Sequence, residues 1–591
     1  MYQRLSEIRN KLISIKDMDT YNLFVSFLRN PNEELVGEIL CNQEIQEMNV
    51  REVMADLMKL HATERGKYTS KIANGQWIIW KEIYTCVNDI LNNTEKIEKY
   101  KFIEYGDNYL KACQVIKELV AIYVDSQTKV CYLEERLGVD RYLDKISERE
   151  LIAINDLILI QCKKINEFIE TYIFRFQRDW GNDNIPAIVY HKLYSYNGEN
   201  QICTMLKPDQ KKVILFVVDG MGWCQYQWHK DVCKDGSGYA FKEGIFDWLC
   251  RTGNSKELIL GAPFITDTAA GLAQIFTGKK AKKTGIIASK LMRNNFFIDT
   301  KKLEVDDFEN NFNTDYNSMT AVLSEKGYSN EILFCTRYDR KHEGFSKQIF
   351  KDSDITEIIP PERVYEILLK KIQEGKLLDF TGVYSTSIDN SGHTMGAFSK
   401  FEKYEHHKIN ALFKNFLLEL AEKCPERFDD NTSILFVADH GMAESSKKII
   451  YRENLLDILS PLYIKNIKIM IDNRAAFIYG IDGKFQSKAK EILHEYFAKI
   501  NVDVQISTKE GCFLNEFMPK ETHKSAQLVP DMILRLVSNG LFYHANILKE
   551  ELLHFAGHGG ASLNETLVPL IEVNLSAKLL ADLKDRFIDM M

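Results

Sequence analysis

The chain has 591 residues, 45% of them apolar and 27% charged, with a formal net charge of −8. That length supports several domain-sized units, and the acidic balance excludes a protein that coats nucleic acid through general positive charge. Twelve cysteines without a Cys-x-x-Cys pair argue against a disulfide frame or a thiolate zinc site. No apolar run approaches the length of a transmembrane helix, and the polar start Met1-Tyr2-Gln3-Arg4-Leu5-Ser6-Glu7 is unlike a secretory signal, so the expected compartment is the cytoplasm.

Residues 1–180 hold one proline, Pro31, and five glycines, so little interrupts helix formation. Ile154, Ile158, Cys162, Ile165, Ile169 and Tyr172 follow three- and four-residue steps, the stripe of an amphipathic helix. Breaks fall near Asn30-Pro31-Asn32, Asn74-Gly75 and Gly138, and the whole reads as an all-helical packing or docking domain. A Gly/Asn-rich stretch, 181–205, reads as a linker. From 206 to 575 short apolar runs alternate with helical segments, with a small α+β insert at about 460–510 and a C-terminal helix over 576–591. The runs Val213–Val218, Ile332–Cys335, Gly382–Ser385, Ser433–Val437 and Met532–Val537 are expected as buried strands of one α/β sheet, mostly parallel and flanked by helices. Ligands in such sheets bind at the carboxyl ends of strands.

Five segments carry chemistry at such positions. Asp219 ends the first run in Val218-Asp219-Gly220, where it is either a turn residue or a metal-reaching carboxylate. In Ile265-Thr266-Asp267-Thr268-Ala269-Ala270-Gly271 a hydroxyl heads a helix whose free N–H groups suit a phosphoryl group, although Thr266 or Thr268 could simply cap it. Asp389 and His393, four apart, read equally well as metal ligands or as an ion pair. Asp439 and His440 directly follow five apolar residues, a costly place for titratable groups unless something binds them. His558 lies in the flexible setting Gly557-His558-Gly559-Gly560, and Ser562 and Glu565 behind it have capping-box spacing. Together these oxygen and nitrogen donors make two sites of the type zinc accepts. Lys279, Lys280, Lys282 and Lys283 follow the Thr268 helix; they either attract a polyanion or form a solvated helix end.

With all five segments in order, residues 206–575 resemble the alkaline phosphatase superfamily, and within it the PglZ-domain proteins, through His558-Gly-Gly-Ala-Ser-Leu-x-Glu565 and Val568-Pro569-Leu570-Ile571. The resemblance implies that Asp219, Asp439, His440 and Thr268 hold one zinc and Asp389, His393 and His558 the other, manganese being an alternative. Thr268 would then be the nucleophile, passing through a phosphothreonine. Tyr384 stands where alkaline phosphatases carry a glutamate for a third ion, and threonine replaces their serine; both features point to diesters, as in the nucleotide pyrophosphatase/phosphodiesterase branch. By the same alignment Ser289, beside Lys290, occupies the place of a phosphate-contacting asparagine. The expected function is a two-metal phosphodiesterase acting on a nucleotide or oligonucleotide. PglZ proteins occur in bacteriophage-exclusion systems, which implies defence partners on the helical domain. A scaffold in such a complex, or a phosphomonoesterase, is the alternative.

Overall fold

A computed structural model of the chain describes residues 85–86, 89–98, 100, 108–139, 164–165, 168, 172–174 and 176–194. It then describes 201–588 apart from 231–243, 294–295, 336–343, 359, 445–448, 501, 510–516, 520–522, 538–539 and 544–554. The chain forms two compact units, one of residues 1–106 and 114–171, the other of residues 107–113 and 172–591. In the first, residues 89–98 and 114–139 are helical, and Asn93 Nδ2 donates to Asp125 and Ser126, both at 2.9 Å. Gly138, expected as a break, is the penultimate residue of a helix ending at Val139. Most of the stripe from Ile154 to Tyr172, and the breaks at Pro31 and Asn74-Gly75, lie outside the described residues.

The second unit is built on a seven-stranded sheet of β1 (Lys212–Val218), β2 (Ser255–Gly261), β3 (Asn330–Phe334), β4 (Asp354–Glu357), β5 (Phe380–Ser385), β6 (Thr432–Val437) and β7 (Leu567–Asn574). Their order is β2-β7-β6-β1-β5-β3-β4. β1 pairs in parallel with β5 and β6, and β3 with β5 and β4, so the fold is the expected mostly parallel α/β sheet with flanking helices. β7 alone runs against its neighbours β2 and β6. The three central strands β1, β5 and β6 are buried almost throughout, and Phe216 stacks on Phe436 with centroids 4.6 Å apart. Covered on both faces, they have no reason to alternate in polarity. Pro569 lies one residue before β7 begins to pair with β6, so its missing N–H removes no bond on that side.

One expected strand belongs elsewhere. Met532–Leu536 is in a separate four-stranded antiparallel sheet, between Ala475–Tyr479 and Val504–Thr508, with Lys468–Asp472 at its edge. All five of its residues are buried, and a short apolar run has the same appearance in a covered antiparallel sheet as in a parallel one. The helix Gly483–Lys499 covers this sheet through Ala489, Leu493 and Phe497. Within 181–205 the chain forms a 3-10 turn and the helix Ile185–Tyr194, whose Ile185, Ile188 and Val189 are fully buried. The C-terminal segment contains the helix Ala577–Leu583. Among the described residues no helix is long and apolar enough to cross a membrane, and the described cysteines are unbridged.

Candidate active site and metal centre

Three parallel strands deliver carboxylates to one edge of the sheet. Asp219 follows β1, its N–H bonded to the Ser385 carbonyl at 2.8 Å. The next residue, Gly220, has φ +79°, and a Cβ there would lie 2.9 Å from Cα of Asp389. Only glycine lets the turns after β1 and β5 come this close. Asp389 and His393 sit one turn apart on the helix Ser387–Met395. Asp439 and His440 follow β6 and are fully buried. Asn182 Nδ2 holds the carbonyls of Ala438 and Asp439 at 3.0 and 3.1 Å.

The helix Thr268–Thr277 presses its first turn onto this turn. A Cβ on Gly271 would lie 2.5 Å from Cβ of Asp439, so this helix rides directly on a candidate ligand. Its cap is neither Thr266 nor Thr268 but Asp267, whose Oδ1 accepts from the Ala269 N–H at 2.9 Å. Asp reaches the second amide of the first turn as well as a hydroxyl does, and this leaves Thr268 free to face inward. Thr268 Oγ1 lies 3.3 Å from Nε2 of His440. Thr266 instead clips the His558 loop, accepting from the Gly559 N–H at 2.9 Å and donating to the Gly560 carbonyl at 3.1 Å.

His558 enters from that loop. Its ring stacks on His440 with centroids 4.0 Å apart, and its Nε2 lies 3.8 Å from Asp389. Ser562 and Glu565 form the expected capping box, and the Glu565 carboxylate also accepts from the Gly560 N–H at 2.7 Å. Fully buried Arg474 pairs with Glu565 at 3.1 Å and donates its backbone N–H to the His558 carbonyl at 3.1 Å. Arg474 gave no signal in the sequence, because its role depends on a partner 91 positions away.

The proton positions define what the cluster can bind. Nδ1 of His393, His440 and His558 faces the carbonyls of Ala556, Gly441 and Thr266 at 3.0, 3.0 and 2.9 Å. A carbonyl only accepts, so each Nδ1 carries a proton, and a ring that is neutral then presents a lone pair at Nε2. Those lone pairs face carboxylates: His393 Nε2 is 3.4 Å from Asp389, and His440 Nε2 is 3.4 Å from Asp219 and 3.5 Å from Asp439. Asp219 Oδ1, Asp389 Oδ1 and Asp439 Oδ2 are buried with no hydrogen-bond partner. Acceptors facing acceptors without a proton between them repel one another, and a cation resolves this. Burial, then the Asp219 charge, pushes the Asp389 carboxyl up to about 8; burial and the same neighbour raise Asp439. Burial lowers His393 to about 4 and keeps His558 neutral.

Donor atoms of Asp389, His393 and His558 lie within 4.8 Å of one another, as do those of Asp219, Asp389 and His440. Asp389 therefore stands between the two groups, and Asp439 adjoins the second through His440. Tyr384, in place of the third-ion glutamate, donates its hydroxyl to Asp219 Oδ2 at 2.5 Å. Ser289 Oγ donates to Asp267 Oδ1 at 2.8 Å, and Lys290 pairs with Asp472 at 3.4 Å, on the edge strand of the antiparallel sheet. Burial raises Asp472 to about 6 against the pull of Lys290. Lys301 was not anticipated. Lys301 is an exposed residue; desolvation lowers its pKa, and the nearby charges of Asp267, Asp219, Asp472 and Asp389 outweigh it and raise the value. Of the four lysines after the Thr268 helix, Lys280 is held by the Gln177 and Arg178 carbonyls and lies 3.8 Å from Asp183, a structural role.

Carboxylates and imidazoles gathered at the strand ends of such a sheet, around a hydroxyl at a helix start, place the protein among the alkaline-phosphatase-like hydrolases. Residues 213–562, more than half of the chain, match the type I phosphodiesterase / nucleotide pyrophosphatase family, and the chain belongs to that family. It is a hydrolase of phosphate esters, and its structure has groups of residues that could hold metal ions. Similar solved structures include murine ectonucleotide pyrophosphatase/phosphodiesterase 5, at 17% identity and a TM-score of 0.43, covering 61% of this chain and 87% of that one. An inactive form of the murine protein in complex with AMP has the same identity and TM-score, covering 61% and 88%. The human counterpart stands at 16% identity and 0.42, covering 61% and 87%. No curated protein matches the chain.

Proposed function

We propose that the protein cleaves phosphate diesters, with a nucleotide or oligonucleotide as substrate, using Thr268 as nucleophile and two divalent ions, zinc or manganese. The observation that carries this reading is Thr268 Oγ1 lying 3.3 Å from Nε2 of His440, in a cluster where Asp219, Asp389 and Asp439 each keep a buried carboxylate oxygen without a hydrogen-bond partner. Asp389, His393 and His558 would hold one ion; Asp219, Asp439 and His440, with Thr268, would hold the other. When bound, such ions supply Lewis-acid activation to the attacking hydroxyl and to the departing oxygen.

Thr268 Oγ attacks phosphorus, and the bond to the leaving alcohol breaks as the Oγ–P bond forms. The leaving oxygen takes up a proton. Water then attacks the phosphothreonine, restoring the hydroxyl and releasing a monoester. The first-turn N–H groups of the helix face the phosphoryl oxygens. Lys301 adds positive charge from the open side, while Ser289, tied to Asp267, steadies the helix cap and Lys290 orients Asp472. Diesters are favoured because Tyr384 supplies a neutral donor where a third ion would need a carboxylate.

A panel of aryl mono- and diesters with zinc and manganese tests this. Thr268→Ala should lower diester turnover by about 10³-fold or more, and Thr268→Ser should keep a measurable part of it. Faster monoester than diester turnover would reverse the substrate assignment. The segment from His558 to Glu565 supports a PglZ-type protein of phage defence, with partners on residues 1–180; equal phage plating on strains with wild-type and Thr268→Ala protein would rule out a catalytic defence role.

A further inference from the structure

A second group of donors lies behind the catalytic cluster. His229 ends the helix Trp223–His229, and Glu402 and His406 sit one turn apart near the start of the helix Lys400–Lys423. All three are buried, with exposures of 1%, 0% and 4%. Their donor atoms lie within 4.8 Å of one another. Both ring nitrogens of His229 and Nε2 of His406 have no hydrogen-bond partner. The His229 Nε2 to Glu402 Oε2 distance is 3.7 Å, too long for a hydrogen bond. It is close to the spacing of two ligands on a tetrahedral ion with bonds of about 2.0–2.1 Å. Two imidazole rings in contact, at 4.7 Å between centroids, leave those ring nitrogens unsatisfied as neutral groups and repel if both are charged.

From this geometry we propose that His229, Glu402 and His406 hold a third metal ion, a structural first-row dication with zinc foremost, completed by a water. Two nitrogens and one carboxylate oxygen suit zinc and its neighbours better than calcium or magnesium. The carboxylate is already oriented as a ligand should be: Gln225 Nε2 donates to Oε1, and the Phe398 N–H donates to Oε2.

Gln225 gives the ion its consequence. Its Oε1 accepts from the N–H of Gly222 at 2.9 Å and from the N–H of Met442 at 3.3 Å. Those amides belong to the turns that present Asp219 and His440. The ion would brace both turns from behind through one amide side chain, without touching substrate.

The test uses the full chain with Asp389→Ala, His440→Ala and His558→Ala, which breaks both donor groups of the catalytic cluster and leaves it a single imidazole. After zinc loading and desalting, this protein should retain about one zinc, with X-ray absorption showing two imidazoles and only nitrogen or oxygen neighbours. Adding His406→Gln should remove it, and a strong chelator should lower the melting temperature of the parent. If the added change prevents folding, the absorption spectrum of the parent decides alone. A folded parent that retains no zinc, or a sulfur-containing shell, overturns the proposal, as does zinc retained unchanged in a folded His406→Gln protein. Failure of the two-ion reading of the active site would leave these outcomes unaffected, because they are read where that cluster has been removed.

Discussion

The strand-end turns and the His558 loop supply the same centre by different means. Asp219, Asp389, Asp439 and His440 follow parallel strands and are set by backbone contacts so close that glycine is required at Gly220 and Gly271. His558 precedes β7, the antiparallel strand of the main sheet, and its loop depends on side chains as well: Thr266, Glu565 and, behind Glu565, Arg474. A ligand held by backbone resists single side-chain losses but tolerates no added volume. A ligand held by a buried polar network has the opposite weakness.

The largest effect should come from Glu565→Gln. It leaves Arg474 buried without its countercharge and should cost about 3–5 kcal/mol, read by urea denaturation. A loss below about 1 kcal/mol would mean that the pair does not hold the loop. Gly271→Ala probes the opposite side. The added methyl meets Asp439 and should cost about 3 kcal/mol, with reduced metal content, whereas the same change in an open loop would be silent. Tyr384→Phe removes the donor to a buried carboxylate and should cost about 2 kcal/mol; unchanged stability would show that Asp219 does not depend on it. Thr266→Val should have the smallest effect, about 1 kcal/mol, and should weaken metal binding without moving the strand-end turns. If crystallography of that variant shows Asp439 displaced and His558 in place, the division between the two sides is wrong.

The backbone-held side was the legible one. An Asp or Asp-His directly after a covered apolar strand is unusual enough to mark β1 and β6, and Asp389 and His393 follow β5 at helical spacing. What escaped depended on distant partners. β2, β4 and β7 escaped as strands, and Met532–Leu536 reads as apolar in either sheet because burial, not strand direction, sets its composition. Asp267 was passed over as a cap between two threonines, although a carboxylate does the same work. Arg474, Lys301 and the trio His229, Glu402 and His406 become visible only when chain segments far apart in sequence meet.

The contact between Gly271 and Asp439 has a mechanical consequence. Two elements with no room between them are mechanically coupled, so the start of the Thr268 helix and the Asp439 turn cannot shift independently toward each other. The His558 loop is packed as closely, since a Cβ on Gly560 would lie 2.5 Å from the Leu536 carbonyl oxygen, and hydrogen bonds to Thr266 add to that contact.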